Sequence, residues 1–277
     1  MLRKYIMFLK RHPLITAAIA IVYALVCIRM VPTKTDFQAF LVRTMLCGAM
    51  AFFLYQISGD KTLAASYNST GYVIKVAIGF WILSFAIGLA SLAASAAGGA
   101  EKLDHPLRNL VIVFLMFLFV GLFEEMAFRA VVNDAIIYAF RDRKYVFVLS
   151  AVASSAAFGA AHVIGFDTTS ALAWAQAAGK TISAGIFGLV LLFLYWKTRN
   201  IWACGMVHGM YDFFAAFGRA FYKSPGEGAH SYVVPDAEAV PVIIVYCVLT
   251  LIMLFILWRV WKKIGKQIDY DAIRANW

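Results

Sequence analysis

The sequence predicts an all-α, polytopic integral membrane bundle of about eight transmembrane helices, and three observations carry that expectation. Hydrophobic residues fill 63% of the 277 positions and charged residues only 14%, whereas a soluble domain carries roughly a quarter charged. Apolar runs long enough to cross a hydrocarbon core of about 30 Å recur from one end to the other. The runs are continuously apolar rather than alternating, which argues against a membrane β-barrel. Without water to satisfy an open sheet, helices are the solution that lipid leaves.

The elements follow in order. The first apolar run, 14–31, is preceded by Arg3, Lys4, Lys10 and Arg11 and so imitates a signal peptide. No small-x-small cleavage site follows it; Arg29, Met30, Val31 and Pro32 come instead, so an uncleaved first helix is expected. Further spans are expected at 37–58, 71–97, 107–140, 145–164, 175–196, 201–222 and 240–261. The third, fifth and sixth are rich in small residues, such as Ala93, Ala94, Ser95, Ala96 and Ala97, which let helices approach closely in lipid. Cys27, Cys47, Cys204 and Cys247 lie inside apolar runs with no metal-type spacing, and they are expected as small apolar residues without disulfides. No repeat or low-complexity linker divides the chain. A single integral membrane domain over 1–277 is expected, with its motifs between about 107 and 214.

A net charge of +10 would suit nucleic acid if it formed one patch, but it is scattered over connectors and ends. One side would receive the N-terminal basic residues, Lys61, the turns at 141–144 and 197–199, and the tail with Arg259, Lys262, Lys263, Lys266 and Arg274. The other would receive Lys34, Lys102, Arg108 and Lys223, diluted by Asp36, Glu101, Asp104, Glu227, Asp236 and Glu238. The positive-inside rule then puts both termini in the cytoplasm, which an even number of spans allows. The expected setting is a bacterial inner membrane, with membrane lipid as partner and no nucleic acid.

Ionisable groups inside spans cost about 2.5–3.5 kcal/mol each on the insertion scale, so they mark function or pairing. The fourth span holds Glu124, Glu125 and Arg129. Glu125 and Arg129 stand four apart on one face and can neutralise each other. Glu124 points about 100° away and has no such local partner in sequence. His162 closes the fifth span, four residues after Phe158, and His208 stands four before Asp212 in the seventh. A single helical histidine is ordinarily a packed residue. One carboxylate with two imidazoles on nearby spans is a set able to move protons near neutral pH. No HExxH pattern supplies a zinc signature.

In order, the motifs read Glu124-Glu125-Met126-Ala127-Phe128-Arg129, then Phe158 to His162, then His208 to Asp212. They resemble those of the CAAX protease and bacteriocin-processing family of intramembrane endopeptidases, also described as abortive-infection-type membrane proteases. The family pattern is Glu-Glu-x-x-x-Arg, Phe-x-x-x-His and His-x-x-x-Asn or Asp. The approach Leu194-Tyr195-Trp196-Lys197-Thr198-Arg199-Asn200-Ile201-Trp202 is similar as well. The resemblance covers roughly 107–214.

It implies an endopeptidase acting on membrane-embedded or lipid-modified peptides. Glu124 would activate a water, with His162 sharing it, and His208 and Asp212 would face the oxyanion or position the scissile carbonyl. Glu125, Arg129 and Phe158 would support them. The resemblance favours a metal-free glutamate mechanism, with divalent zinc held by Glu124, His162 and His208 as the alternative. Asp212 stands where many members carry Asn. Either burial keeps it protonated, so that it donates as an amide would, or it stays charged and orients His208. A non-catalytic scaffold or immunity protein and a proton-coupled transporter are the competing readings, although no internal repeat supports transport. One tension concerns depth: Glu124 lies about 26 Å along its helix from the 141–144 turn, but His208 only about 12 Å from Asn200.

Overall fold

The computed structural model describes residues 2–59, 62–64, 67–165, 169–223 and 232–275. The expected roles of Lys61 and Glu227 in sidedness lie outside those residues. Every expected apolar run is helical, and no strand occurs among the described residues. The helices are α1 (Leu2–Arg11), α2 (Pro13–Met30), α3 (Asp36–Ser58), α4 (Tyr67–Ala97), α5 (Pro106–Glu125), α6 (Asn133–Phe140), α7 (Val146–Ala161), α8 (Ala171–Thr198), α9 (Ile201–Ala216), α10 (Asp236–Ile264) and α11 (Tyr270–Ala275). A π-helical segment, Met126–Val132, joins α5 to α6, and a short 3₁₀ turn, Phe217–Ala220, extends α9.

By length and composition five helices can each cross a membrane, or six if the bent pair of α1 and α2 forms one span. The remaining two of the eight expected spans are the 16-residue helices α7 and α9, each about 24 Å long. The solvent around the bundle is apolar. In α10 the most apolar window has mean hydropathy 3.0 with only 6% of it buried, and Leu251 and Phe255 lie largely exposed. Such a face is stable in hydrocarbon and not in water. The chain is an integral membrane protein.

Local chemistry explains where helices begin. At α3, Thr35 accepts from the Gln38 backbone N–H at 3.2 Å while the Gln38 side chain accepts from the Lys34 N–H at 2.8 Å. Paired acceptance of this kind satisfies two orphan donors at once. Pro13 opens α2 at its first position, where a missing N–H costs nothing. It also bars His12 from continuing a helix, and α1 meets α2 at 106°. Buried Thr16 ties that corner, donating to the carbonyls of Leu9 and His12 at 2.7 and 3.1 Å. The N-terminal basic residues therefore sit on a separate helix rather than on a straight first span.

The helices cluster into two compact units, Met1–Val131 with Thr198–Gly228 and Val132–Lys197 with Ala229–Trp277. In the first unit α9 packs against α4 and α5. Its lower end is pinned beside the start of α4, where Asn200 donates to Ser69 and Thr70 at 2.9 and 2.8 Å. Its upper end is pinned past the end of α4, where Leu103 N–H donates to Phe221 and Lys223 N–H to Glu101. The stretch Ile201–Ala220 thus runs the length of α4, and the 3₁₀ turn makes up what the 16-residue helix lacks.

In the second unit the buried Asp134 and Asn133 hold the end of α8. Tyr195 donates to Asp134 at 2.7 Å and Trp196 to Asn133 at 3.2 Å. Gly159 on α7 lies so close to α8 that a Cβ there would strike the Thr181 carbonyl. All four cysteines are free; Cys47 and Cys204 are buried, Cys27 is half-buried and Cys247 is exposed.

Candidate active site

The first unit builds its site on a close approach of two helix backbones. A Cβ on Gly121 of α5 would meet the backbone of Gly205 and Gly209 on α9, and one on Gly209 would lie 2.7 Å from the Leu118 Cα. A Cβ on Gly205 would lie 2.8 Å from the Leu122 Cα. Gly205 pairs with Leu122 and Gly209 with Leu118, so the helices run antiparallel. Gly205-Met206-Val207-His208-Gly209 is a small-xxx-small stripe, which lets backbones touch where no hydrophobic force drives helices together. His208 rides on that stripe. Helical side chains lean toward their own N-terminus. Across an antiparallel pair, His208 and the carboxylates of Glu124 and Glu125 therefore lean toward each other.

They meet. His208 Nδ1 lies 2.8 Å from Glu125 Oε1, and its Nε2 lies 3.7 Å from Glu124 Oε2 and 3.5 Å from Asp212 Oδ2. Glu125 also receives the Arg129 guanidinium, Nε to Oε2 at 3.1 Å. The depth tension in the sequence thus closes between Glu124 and His208. Helix α9 docks beside the last turns of α5, and the span continues past that level to Phe140.

Exposure separates two layers. The side chains of Glu125 and Arg129 are 0% and 1% exposed, while those of Glu124 and Asp212 are 19% and 27% exposed. The ion pair is sealed inside, and the two other carboxylates face the accessible side. A carboxylate paired with Arg129 only accepts hydrogen bonds, so Nδ1 of His208 carries the proton. Nε2 is then an acceptor in neutral His208 and a donor once the ring is doubly protonated. The wider turns of the π-helical segment begin directly after Glu125. Such segments recur at functional sites because they re-aim side chains without ending the helix.

The second unit carries the other motif. His162 caps α7, and its Nδ1 lies 2.9 Å from the Phe158 carbonyl. A carbonyl only accepts, so Nδ1 carries the proton and donates it. The ring stands edge-on to buried Phe158, centroids 4.7 Å apart at 77°, with Tyr232 at 5.9 Å on another side. The structure therefore gathers Glu124, Glu125, Arg129, His208 and Asp212 in one unit, and Phe158 with His162 in the other.

Residues 106–214 match the family model described as Rce1-like, type II CAAX prenyl endopeptidase. This segment is similar to an Rce1-like domain. It opens on the first residue of α5, closes inside α9, and holds all three motifs. The Rce1-like match supports a protease function for the chain. No curated protein and no solved structure matches it.

Three features of the Rce1-like segment escaped the sequence reading. The contact of Glu125 with His208 joins residues 83 apart, and no local spacing announces it. The Gly205-to-Gly209 stripe was visible but reads as ordinary small residues until its partner helix is known. Lys180, inside the span Ala171–Thr198, sits with its ammonium 3.9 Å from the centroid of the Tyr232 ring; a cation that deep was itself the signal. Among the described residues no group of three or more His, Cys, Asp or Glu side chains is arranged to hold a metal ion.

Proposed function

We propose that the protein is an intramembrane endopeptidase that hydrolyses peptide bonds of membrane-associated or lipid-modified substrates with a water activated by Glu124. The observation that carries this reading is the setting of His208: one ring nitrogen on the sealed Glu125–Arg129 pair, the other toward the accessible Glu124 and Asp212.

Each group has a task. Glu124 is exposed enough to meet water, and it takes the proton as the water attacks the scissile carbonyl. The tetrahedral oxyanion then faces Nε2 of His208, which donates to it when the ring carries both protons. Glu125 keeps the ring in register. Asp212, beside Nε2, supplies a second group at the oxyanion. Collapse of the intermediate releases the amine, which takes back the proton held on Glu124. His162 belongs to this set on the motif resemblance, with its Nε2 as the working atom.

The same reading places the protein in a bacterial inner membrane with both termini cytoplasmic, on the asymmetry of lysine and arginine between connectors. A comparison of membrane peptides from cells expressing the wild type or Glu124→Gln tests the function. New peptide termini confined to the wild type are expected. Identical peptide sets in both strains would remove the peptidase reading.

A further inference from the structure

Helix α1 contributes nothing to the candidate site, yet its ten positions hold Arg3, Lys4, Lys10 and Arg11 and no acidic residue. At about 100° per residue these four fall within an arc of about 120°, while Leu2, Tyr5, Ile6, Phe8 and Leu9 share the opposite face. Amphipathicity of this kind, with modest overall hydrophobicity, suits a helix lying in a membrane surface rather than through it. The geometry agrees. Helix α1 meets α2 at 106°, so α2, with 18 residues and a length of about 27 Å, is left to do the crossing. The corner is fixed by the two hydrogen bonds of Thr16, and the Lys10 ammonium lies 5.5 Å from the centroid of the Tyr55 ring on α3. Ile6 and Leu9 are half-buried, whereas Tyr5 and Phe8 at the edge of the apolar arc are 65% and 43% exposed. Lys4, Lys10 and Arg11 are exposed beside them.

We propose that α1 is a docking surface for anionic phospholipid in the leaflet on which it lies, with Tyr5 and Phe8 between acyl chains and Lys4, Lys10 and Arg11 at the phosphates. Exposed aromatic rings bordering a basic arc need hydrocarbon and negative charge within the width of one helix. A lipid surface offers both. An acidic protein surface would answer the cations and leave the two rings without an apolar partner. Long lysine and arginine stems cover apolar surface while their heads reach the charged layer. Each cation near an anionic leaflet adds to the attraction, and the sum falls with salt because it is electrostatic. Docked in this way, α1 holds the start of α2 at the surface and gathers anionic lipid around it.

The test uses the full chain in nanodiscs, with Cys27, Cys47, Cys204 and Cys247 replaced and a bimane fluorophore attached through Tyr5→Cys, so that the label takes the place of the ring. Lipid brominated on its acyl chains, either phosphatidylglycerol or phosphatidylcholine, is titrated in, and quenching reads which lipid sits against α1. With the native basic residues, phosphatidylglycerol should be preferred by at least about fivefold in relative association, the weight of one cation near an anionic surface. Lys4→Gln, Lys10→Gln and Arg11→Gln combined should bring the ratio to about one, whereas Lys4→Arg with Lys10→Arg should keep it. Salt at about 1 M should also abolish the preference in the unsubstituted helix, since the screening length then falls to about 3 Å. If the triple variant does not insert, the salt comparison decides alone. Equal quenching by the two lipids at low salt, or a preference that survives either the three substitutions or high salt, overturns the proposal.

Discussion

At the scale of single residues, Glu125 has two obligations where its helix spacing shows one. The pairing with Arg129 follows from i, i+4 geometry, but the 2.8 Å contact with His208 makes Glu125 the group that sets the proton position of the imidazole. Glu125→Gln should therefore lose both stability and activity. Leaving a buried charge uncompensated costs about 3–5 kcal/mol, which thermal unfolding in detergent will read as a fall in the midpoint. An unchanged midpoint contradicts the ion-pair role. Asp212 is a cleaner case. On the proposed reading the orienting task at Nδ1 falls to Glu125, which leaves Asp212 as the second group at the oxyanion, donating as a protonated carboxyl would. A carboxyl donates only while it is protonated, whereas an amide always can. Asp212→Asn should keep near-native cleavage with a flatter alkaline limb, while Asp212→Ala should lose much of the rate. Asp212→Ala as active as the wild type would take Asp212 out of the site. Protein prepared with chelators should also retain its activity. Loss on chelation and recovery with zinc would recast Glu124, His162 and His208 as ligands.

At the scale of elements, the contact of α5 with α9 decides whether a site exists at all. Gly121, Gly205 and Gly209 meet backbone rather than yielding side chains, so a larger residue cannot be accommodated by a rotamer change. Gly205→Val should lower the unfolding midpoint, by the equivalent of about 1–3 kcal/mol or more, and remove activity. Gly48→Val, where an added Cβ meets nothing within 4 Å, serves as the control. Similar midpoints for the two variants would show that the close approach is not what joins the helices. The helices themselves were legible in the sequence because lipid demands long apolar runs, and all eight expected runs are helical. Their continuity was not. The break at Pro13 is a local proline effect that hydropathy does not register, and the π-helical segment after Glu125 carries no compositional sign. The motif residues were legible because charges stand out in apolar spans, and Lys180 stood out by the same rule without a motif to draw attention to it. What the sequence withheld was pairing across helices. Glu125 reaches His208 only because three glycines bring two distant helices together.

At the scale of the whole molecule, the solvent of the protein is hydrocarbon and its charges are placed accordingly. The 3₁₀ extension of α9 carries the chain from beside the start of α4 to beyond its end. Single cysteines introduced at Thr198 and Tyr222 in a cysteine-free background should therefore label from opposite faces of the membrane. The lysine and arginine asymmetry adds the direction: labels at Lys144, Thr198 and the C-terminus are expected from the cytoplasm, and at Tyr222 from outside. Labelling of Tyr222 from the cytoplasm overturns the topology. On the proposed reading, the carboxylate of Glu124, 19% exposed and 3.7 Å from Nε2 of His208, works on water at a peptide bond. The most direct test is the cleavage rate of purified Glu124→Gln in lipid, on a peptide identified by the membrane comparison, against wild type of equal thermal stability. The account predicts a loss of at least about a hundredfold, the scale of a positioned general base, with insertion and unfolding midpoint unchanged; cleavage at the wild-type rate would contradict it.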